Sequence, residues 1–317
     1  METKTVAFFR QGLGNFIEMT PALRAMASMD ESGKLDLCTD QVWTDYRKQA
    51  LVDLCERLPF VNKVVVGEDI TDAKYKTWFW APWACYGKCP LFQSKKPYPP
   101  PKWNKNKVHE SDYYMDIARK IYGYRGEKPR QMVTTADGPL VDKKGGKLIV
   151  LCNGGFGHYS VFKRWDGFAN FSRTVKSYYP NCLVAAVGIE SELSGVPVDL
   201  NYLGKLKFTE TAKVIQQADI LVTTDTGNMH VADALGIPMI VLWGGSYLAK
   251  NRPYEAPNKI IYLGLKCQPC TSRLGYRTCR DFRCIRHISI GEVMYHIRNF
   301  FNKGRFDDTE LGAFGCS

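Results

Sequence analysis

The chain has 317 residues, of which 45% are hydrophobic and 24% charged, the ordinary balance of a folded globular protein. This length predicts two domains and excludes a mini-protein or a disordered tail. Lys and Arg total 43 against 32 Asp and Glu, and the resulting net charge of +11 favours an anionic partner: a phosphorylated glycan, an anionic lipid headgroup or a nucleic acid.

No membrane span or export signal is predicted. The apolar runs at 147–152 and 237–243 are far shorter than the ~20 residues that cross a bilayer. The apolar run at 6–9 is too short for the core of a signal peptide. We therefore expect a cytoplasmic protein, with peripheral contact at the inner face of the membrane as an option.

The first half of the chain is predicted to be a parallel α/β domain, residues 1–140. An apolar run from Thr5 to Arg10 predicts a strand, residues 11–15 (QGLGN) a glycine turn, and residues 21–26 a helix. Further strands are predicted at 35–38 and 63–66, and further helices at 46–54 and 112–122.

The segment from about 74 to 107 interrupts this alternation with aromatic, proline-rich and lysine-rich sequence. Aromatic side chains stack on sugars and on bases, and lysines bind the phosphates of either. We expect an insertion that binds the acceptor through residues such as Lys102 and Trp103; the alternative is a solvated basic loop over packed aromatic side chains.

The second half, residues 146–288, is predicted to repeat the α/β pattern after a polar, Gly/Pro-rich boundary. Strands are expected at 147–153, 182–187, 219–224 and 239–243, and helices at 166–178, 210–217 and from Gly227. A capping box at 289–292 opens a last amphipathic helix. We expect residues 289–317 to pack back across the two domains.

The strongest chemical signal is an apolar strand that ends at Asp225 and is followed within two residues by a helix. The Thr226 and Gly227 amides then lie at the carboxyl end of a parallel strand and at the positive end of a helix, which predicts an anion site. The alternative makes Asp225 a helix cap and His230 a packed helical residue.

This segment resembles the signature of the heptosyltransferase-like glycosyltransferases, glycosyltransferase family 9. The resemblance is carried by residues 225–238 (DTGNMHVADALGIP) and 242–246 (LWGGS), together with 10–24 (RQGLGNFIEMTPALR), 163–165 (KRW) and 203–205 (LGK). It implies the GT-B fold, with two Rossmann-like domains that face each other across a cleft. It also implies an inverting transfer without an obligatory metal, with the nucleotide-sugar donor on the C-terminal domain and the acceptor on the N-terminal one.

The resemblance also assigns roles to residues of this chain. Lys163 is implied as the cation that stabilises the leaving diphosphate, in agreement with the absence of any Asp-x-Asp pair from the sequence. A ribose-binding acid is implied near Glu190, with Glu192 as the alternative. The full set of implied donor-binding residues is Asp225, Thr226, Gly227, His230, Glu190 and Gly155.

The chain departs from the family pattern at the position of the proposed general base. The resemblance implies an aspartate after the N-terminal glycine turn, but Gly14 is followed here by Asn15, which cannot accept a proton. We expect Gly14 and Asn15 to bind the acceptor. Glu18, one helical turn further, is the nearest carboxylate and the candidate base. His109, Glu110 and Asp112 are the next candidates for the base.

Four of the eleven cysteines cluster near the C-terminus, at Cys267, Cys270, Cys279 and Cys284. Four thiolates could hold a structural zinc ion, although reduced, packed thiols are the first expectation because the second pair is not itself Cys-x-x-Cys.

We therefore expect a nucleotide-sugar-dependent glycosyltransferase that requires no cofactor and modifies a lipopolysaccharide or other surface glycan. Two alternatives remain open from the sequence. One is an enzyme that glycosylates hydroxylated DNA bases, suggested by the positive charge and the basic aromatic segment. The other is a non-catalytic protein that binds a nucleotide-sugar or a glycan, suggested by Asn15. The donor base, the sugar and the acceptor are not determined by the sequence.

Overall fold

A computed structural model describes residues 3–9, 12–39, 52–66, 75–80, 108–154, 162–270 and 279–307. Its first sheet has four parallel strands in the order β3-β2-β1-β4. These strands are β1 (Thr5–Phe9), β2 (Leu35–Thr39), β3 (Val61–Val66) and β4 (Thr77–Trp80). Helix α1 (Leu13–Ala27) follows β1, and α2 (Glu110–Lys120) packs against α1.

The second sheet has six parallel strands in the order β10-β9-β8-β5-β6-β7. They are β5 (Leu148–Cys152), β6 (Leu183–Ala186), β7 (Leu200–Asn201), β8 (Ile220–Thr224), β9 (Met239–Trp243) and β10 (Asn258–Tyr262). Strands β5, β8 and β9 are buried along their whole length, as expected for a parallel sheet covered on both faces. The α/β class with parallel sheets is thus confirmed.

The helices of the second half connect and cover these strands. They are α3 (Phe168–Tyr178), α4 (Phe208–Gln216), α5 (Gly227–Leu235), α6 (Leu248–Asn251), α7 (Arg283–Arg286) and α8 (Ile290–Lys303). Ser289 caps α8, since its hydroxyl accepts a hydrogen bond from the Glu292 amide at 3.1 Å, which is one of the two bonds of the predicted capping box. Val293 and Ile297 of α8 are buried in a core built from second-half residues, and α8 lies beside α3. The apolar face of α8 thus packs into the core of the second half, and residues 308–317 are outside the described residues.

Two features differ from the sequence-based expectation. The segment expected to be an insertion from about 74 contributes β4, which pairs with β1 at the edge of the first sheet. The residues expected to form a glycine turn include Gly14, which instead lies in the first turn of α1. The predicted helix at 46–54 falls largely outside the described residues.

The two sheets are joined through a shared core. Helix α1 packs against α5, and the larger hydrophobic cluster contains residues of both halves, such as Ile17 of α1 and Met229 of α5. The carboxylate of Asp53 also accepts two hydrogen bonds from Thr209 at the start of α4, at 2.9 and 3.0 Å. These contacts bring the N-termini of α1 and α5 together, where the candidate site lies. In the part of the chain described here, no helix has the length and apolar character needed to cross a bilayer.

Candidate functional site

Three adjacent strands of the second sheet end at the site. Because β5, β8 and β9 are parallel neighbours, the residues that follow them, Asn153, Asp225 and Gly244, lie along one edge of the sheet. This carboxyl edge is where open α/β sheets bind their ligands. The fold therefore places the strand-to-helix signal identified in the sequence at the expected edge.

Lys163 and Asp225 form a close ion pair at this edge. The Lys163 ammonium lies 2.6 Å from Oδ2 of Asp225, and the Ser246 hydroxyl donates to the same oxygen at 2.5 Å. Burial acts to raise the pKa of Asp225, but the charge and hydrogen bond of Lys163, together with Ser246, hold that pKa below its usual range. Asp225 is thus ionised and holds a lysine that is still 25% exposed.

The segment that carries Lys163 is fixed by its neighbours. The amide of Trp165 donates to Oδ1 of Asn153 at 2.9 Å, and its indole N–H donates to the Ile288 carbonyl at 3.0 Å. A Cβ at Gly244 would lie 2.7 Å from the carbonyl oxygen of Phe162, so only glycine lets the chain pass there. The motif at 163–165 and Gly244 therefore both help to fix the position of the Lys163 ammonium.

The N-termini of α1 and α5 meet beside this ion pair, at a place that we call the helix junction and define by Gly14, Gly227 and His230. A Cβ at Gly14 would lie 2.7 Å from Cδ2 of His230 and 3.5 Å from Cα of Gly227. A Cβ at Gly227 would lie 3.6 Å from the Gly14 amide nitrogen. Because the positive ends of two helix dipoles converge here, the helix junction favours an anion.

A buried carboxylate, Glu110, lies behind the helix junction. It accepts hydrogen bonds from Asn15 at 2.9 Å and from the Tyr114 hydroxyl at 2.6 Å, and it pairs with the Lys250 ammonium at 2.8 Å. Asn251 donates to it at 3.1 Å. Burial acts to raise the pKa of Glu110, but Lys250 and these donors hold it below its usual range. Glu110 is therefore ionised and fully partnered.

Glu18, the residue expected to be the general base, is completely buried on α1. Its Oε2 accepts a hydrogen bond from Asn251 at 3.0 Å. Burial and the neighbouring charge of Glu110 raise the pKa of Glu18 well above its usual range, which favours the neutral carboxyl. Because Glu18 is also completely buried, an acceptor hydroxyl has no open path to it, and its role as general base stays a prediction.

Two buried histidines flank Glu18. His109, the N-cap of α2, lies 3.7 Å from Oε1 of Glu18, and His230 lies 3.8 Å from the same atom. Burial lowers the pKa of each imidazole to about 4, so both are neutral at pH 7. The His109 ring nitrogens contact the Arg252 carbonyl at 2.8 Å and the Ser111 amide at 3.2 Å.

The two candidate ribose-binding acids differ sharply in environment. Glu190 is exposed at the start of a single 3₁₀ turn, whereas Glu192 is largely buried beside Gly188 and Arg164. Burial raises the pKa of Glu192 to about 7. The Arg164 Nε is buried and has no hydrogen bond among the described residues. Glu192 thus lies with Arg164 beside Gly188, which follows β6 by two residues, whereas Glu190 is exposed.

The structure brings together most of the residues that the sequence singled out. Gly14, Asn15, Glu18, Lys163, Asp225, Thr226, Gly227 and His230 all lie at or behind the helix junction. Gly155, Lys102 and Trp103 are outside the described residues. The sequence missed Lys250 and Asn251, which are common polar residues with no local motif. It assigned no role to Ser246, although this residue ends the 242–246 motif, and ranked Glu110 and His109 only as reserve bases.

The four C-terminal cysteines are close enough to influence one another. Burial first, and then the charges of Cys270, Cys267 and Cys279, together raise the pKa of Cys284 to about 11. Thiolates suit zinc chemically, but no three His, Cys, Asp or Glu side chains in the described ranges are grouped to hold a metal ion. Structural zinc therefore stays a prediction that metal analysis of the purified protein can test.

The fold is that of the GT-B heptosyltransferases. A glycosyltransferase family 9 structure from Veillonella parvula superposes with a TM-score of 0.72 at 16% identity, covering 95% of this chain and 99% of that one. ADP-heptose LPS heptosyltransferase II from E. coli gives 0.69 at 14% identity, covering 95% and 99%. The iron-containing dodecameric glycosyltransferase TibC from enterotoxigenic E. coli gives 0.66 at 16% identity, covering 95% and 79%.

The sequence comparisons agree with the fold. Residues 185–278 match the model of glycosyltransferase family 9 (heptosyltransferase), which confirms the family resemblance inferred from the motifs. Lipooligosaccharide heptosyltransferase 2 of Campylobacter jejuni is 24% identical over 174 residues in a serotype O:6 strain and 21% identical over 217 residues in a serotype O:2 strain. These alignments cover 50% and 62% of this chain, and 53% and 66% of the relatives. The chain thus spans between half and two thirds of the length of the curated relatives it matches.

Proposed function

We propose that the protein is a glycosyltransferase that moves a sugar from a nucleotide-sugar donor to an acceptor hydroxyl. The observation that carries this proposal is the Lys163–Asp225 pair, held at 2.6 Å beside the N-terminus of α5 at the carboxyl edge of the second sheet. A fixed ammonium and a helix N-terminus are what a leaving nucleoside diphosphate requires, because negative charge grows on it as the glycosidic bond breaks.

The chemistry that we propose is an inverting transfer that does not depend on a metal. Lys163 and the amides at the start of α5 supply positive charge to the diphosphate, and the helix junction adds the N-terminus of α1 from the other half. The sequence has no Asp-x-Asp pair of the kind that binds a divalent cation on the diphosphate. Inversion is checked by the anomeric configuration of the product, and metal independence by turnover that persists in EDTA.

Glu192 is proposed to bind the ribose of the nucleotide, in place of the exposed Glu190. Its carboxyl lies near Arg164 and against Gly188, where a Cβ would come within 2.1 Å of Oε2. Replacement of Glu192 by Gln should weaken nucleoside diphosphate binding by about tenfold. The matched change Glu190→Gln should have little effect, and calorimetric titration of both variants decides between the two acids.

The donor and acceptor classes follow from the relatives. Those proteins are named as heptosyltransferases of lipooligosaccharide or LPS, and one of them is named as an ADP-heptose LPS heptosyltransferase. We therefore propose an ADP-activated heptose or a similar sugar as donor and a phosphorylated surface glycan as acceptor, which the net charge of +11 would attract. The DNA-base alternative receives no support from the comparisons.

The test of this proposal is a titration with ADP, UDP and GDP followed by transfer assays with the matching sugars. We expect one nucleoside diphosphate to bind more tightly than the others and its sugar to be transferred to a lipooligosaccharide core acceptor. Donor binding without any turnover across a broad acceptor panel would favour the non-catalytic binding protein. Binding of none of the three would remove the site assignment altogether.

A further inference from the structure

Two buried polar atoms face each other behind the helix junction without a hydrogen bond. Oε1 of Glu18 and Nδ1 of His230 are 3.8 Å apart, and within the described residues neither atom has a hydrogen-bond partner. Their side chains are 0% and 5% exposed, so water does not replace the missing partner readily. Because buried polar groups in native proteins are nearly always paired, these two atoms are candidates for pairing with each other.

The other histidine near Oε1 is already occupied. The Ser111 amide donates to Nδ1 of His109 at 3.2 Å, so this nitrogen carries no proton. The proton of His109 therefore lies on Nε2, which donates to the Arg252 carbonyl at 2.8 Å. With both nitrogens of His109 used, His230 is the remaining partner for Glu18.

The surrounding charges determine which oxygen of Glu18 carries the proton. Glu110 is ionised against Lys250, and Asn251 donates from its amide nitrogen both to Glu110 and to Oε2 of Glu18. Since Oε2 accepts that hydrogen bond, the proton of the neutral carboxyl belongs on Oε1, the atom that faces His230.

We propose that Glu18 is a positioning residue whose protonated Oε1 donates to Nδ1 of His230 and thereby fixes the neutral tautomer with its proton on Nε2. The Nε2 atom lies 3.4 Å from the point that a Cβ on Gly14 would occupy, so it sits at the helix junction. A neutral N–H there donates a hydrogen bond to the anionic diphosphate without adding a charge that must be buried. The diphosphate as the ligand rests on the proposed function. The tautomer of His230 does not depend on that function.

The protonation states on which the proposal depends have identifiable causes. The titratable groups around Glu18 are His109, Glu110 and Tyr114 from α2, and Lys250 from α6. The others are His230 of α5 and Asp225, which follows β8 and pairs with Lys163 of the segment after β5. Burial and Glu110 raise the pKa of Glu18, and burial lowers the pKa of His230 to about 4. These shifts favour the neutral form of both groups.

The first experiment reads the tautomer directly in the unmodified protein. The chain has five histidines, so ¹⁵N NMR of histidine-labelled protein, with His230→Asn to identify the signal, resolves the ring nitrogens of His230. We expect a protonated Nε2 and an unprotonated Nδ1 at pH 7. A protonated Nδ1 would overturn the proposal, whether or not the protein transfers sugar.

The second experiment compares Glu18→Leu with Glu18→Gln. Leu removes the donor, and we expect nucleoside diphosphate affinity to fall by about tenfold at pH 7. Gln can keep its oxygen on Asn251 and direct its N–H₂ at His230, so it should restore most of that affinity. Equal losses in the two variants would contradict the donor role of Glu18.

The pH profile adds a readout that a merely structural role would not change. As pH rises through the pKa of Glu18, its ionised Oε1 becomes an acceptor, Nδ1 must carry the proton, and Nε2 loses its donor. Affinity in the parent should therefore fall at alkaline pH, and this fall should be absent from Glu18→Gln. Parallel profiles would count against the proposal, whereas a parent that binds no nucleotide at all, with the expected NMR tautomer, would overturn only the proposed function.

Discussion

The imidazole ring of His230 lies against the Cα of Gly14, so closely that a Cβ at position 14 would come within 2.7 Å of Cδ2. This contact joins the first turn of α1, in one half of the protein, to the first turn of α5, in the other. The absence of a side chain at Gly14 is therefore what allows the two helix N-termini to meet at the helix junction.

Gly14→Ala should displace His230 and separate the two helix N-termini. Because the ring is buried and cannot move into solvent, we expect donor affinity or turnover to fall by at least about tenfold. Gly12→Ala is the matched control, since a Cβ there would meet only Oδ1 of Asn15, at an ordinary 3.5 Å. Titration with a nucleoside diphosphate checks both variants; equal behaviour of the two would show that the close approach has no functional role.

Lys163→Ala should remove the cation that stabilises the leaving group. We expect turnover to fall on the order of a hundredfold or more, with a smaller effect on KM, because the charge on the diphosphate grows in the transition state. Lys34→Ala, at an exposed position on the first half, serves as the control for lost net charge. A variant with normal kcat would place leaving-group stabilisation elsewhere.

Lys250→Met should destabilise the protein because it leaves the Glu110 carboxylate buried without its cation. The expected cost is about 3 to 5 kcal/mol in the free energy of unfolding, measured by urea denaturation. Adding Glu110→Gln should recover part of the loss, since the remaining amide carries no charge. The exposed pair Lys120–Asp116 is the comparison: Lys120→Ala should cost less than about 0.5 kcal/mol. Equal costs at the two positions would mean that Lys250 and Glu110 are solvated.

The strand-to-helix segment around Asp225 could be predicted from the sequence. The polar network of Glu110 and Lys250 behind the helix junction could not. The donor signals are local, because a strand, a glycine and a helix start lie within a few residues around Asp225. Glu110 and Lys250 are 140 positions apart, and their pairing depends on how the two halves dock. Gly14 was expected in a turn because glycine breaks helices; its real constraint is the His230 ring, which no local pattern contains. Strand β4 was not predicted, because it lies within an aromatic-rich segment that was expected to be an insertion.

The stability of the protein should depend on pH through Glu18. Its pKa is raised in the folded state, so the unfolded chain loses its proton first, and the free energy of unfolding falls as pH rises from about 4.3 to the folded pKa. Glu18→Gln lacks this proton and should become progressively more stable than the parent over that interval. Urea unfolding of both proteins between pH 5 and pH 9 measures the difference. A constant difference across the range would mean that Glu18 titrates normally.

The most direct test of the proposed activity is nucleoside diphosphate release coupled to transfer of the sugar, followed by mass spectrometry of the acceptor. With a panel of ADP-, UDP- and GDP-sugars and a lipooligosaccharide core acceptor, the parent should consume one donor and add one sugar to the acceptor in the presence of EDTA, while Lys163→Ala should do so on the order of a hundredfold more slowly. Release and transfer that vanish with EDTA and return with Mg²⁺, or that proceed equally well without Lys163, would contradict the account.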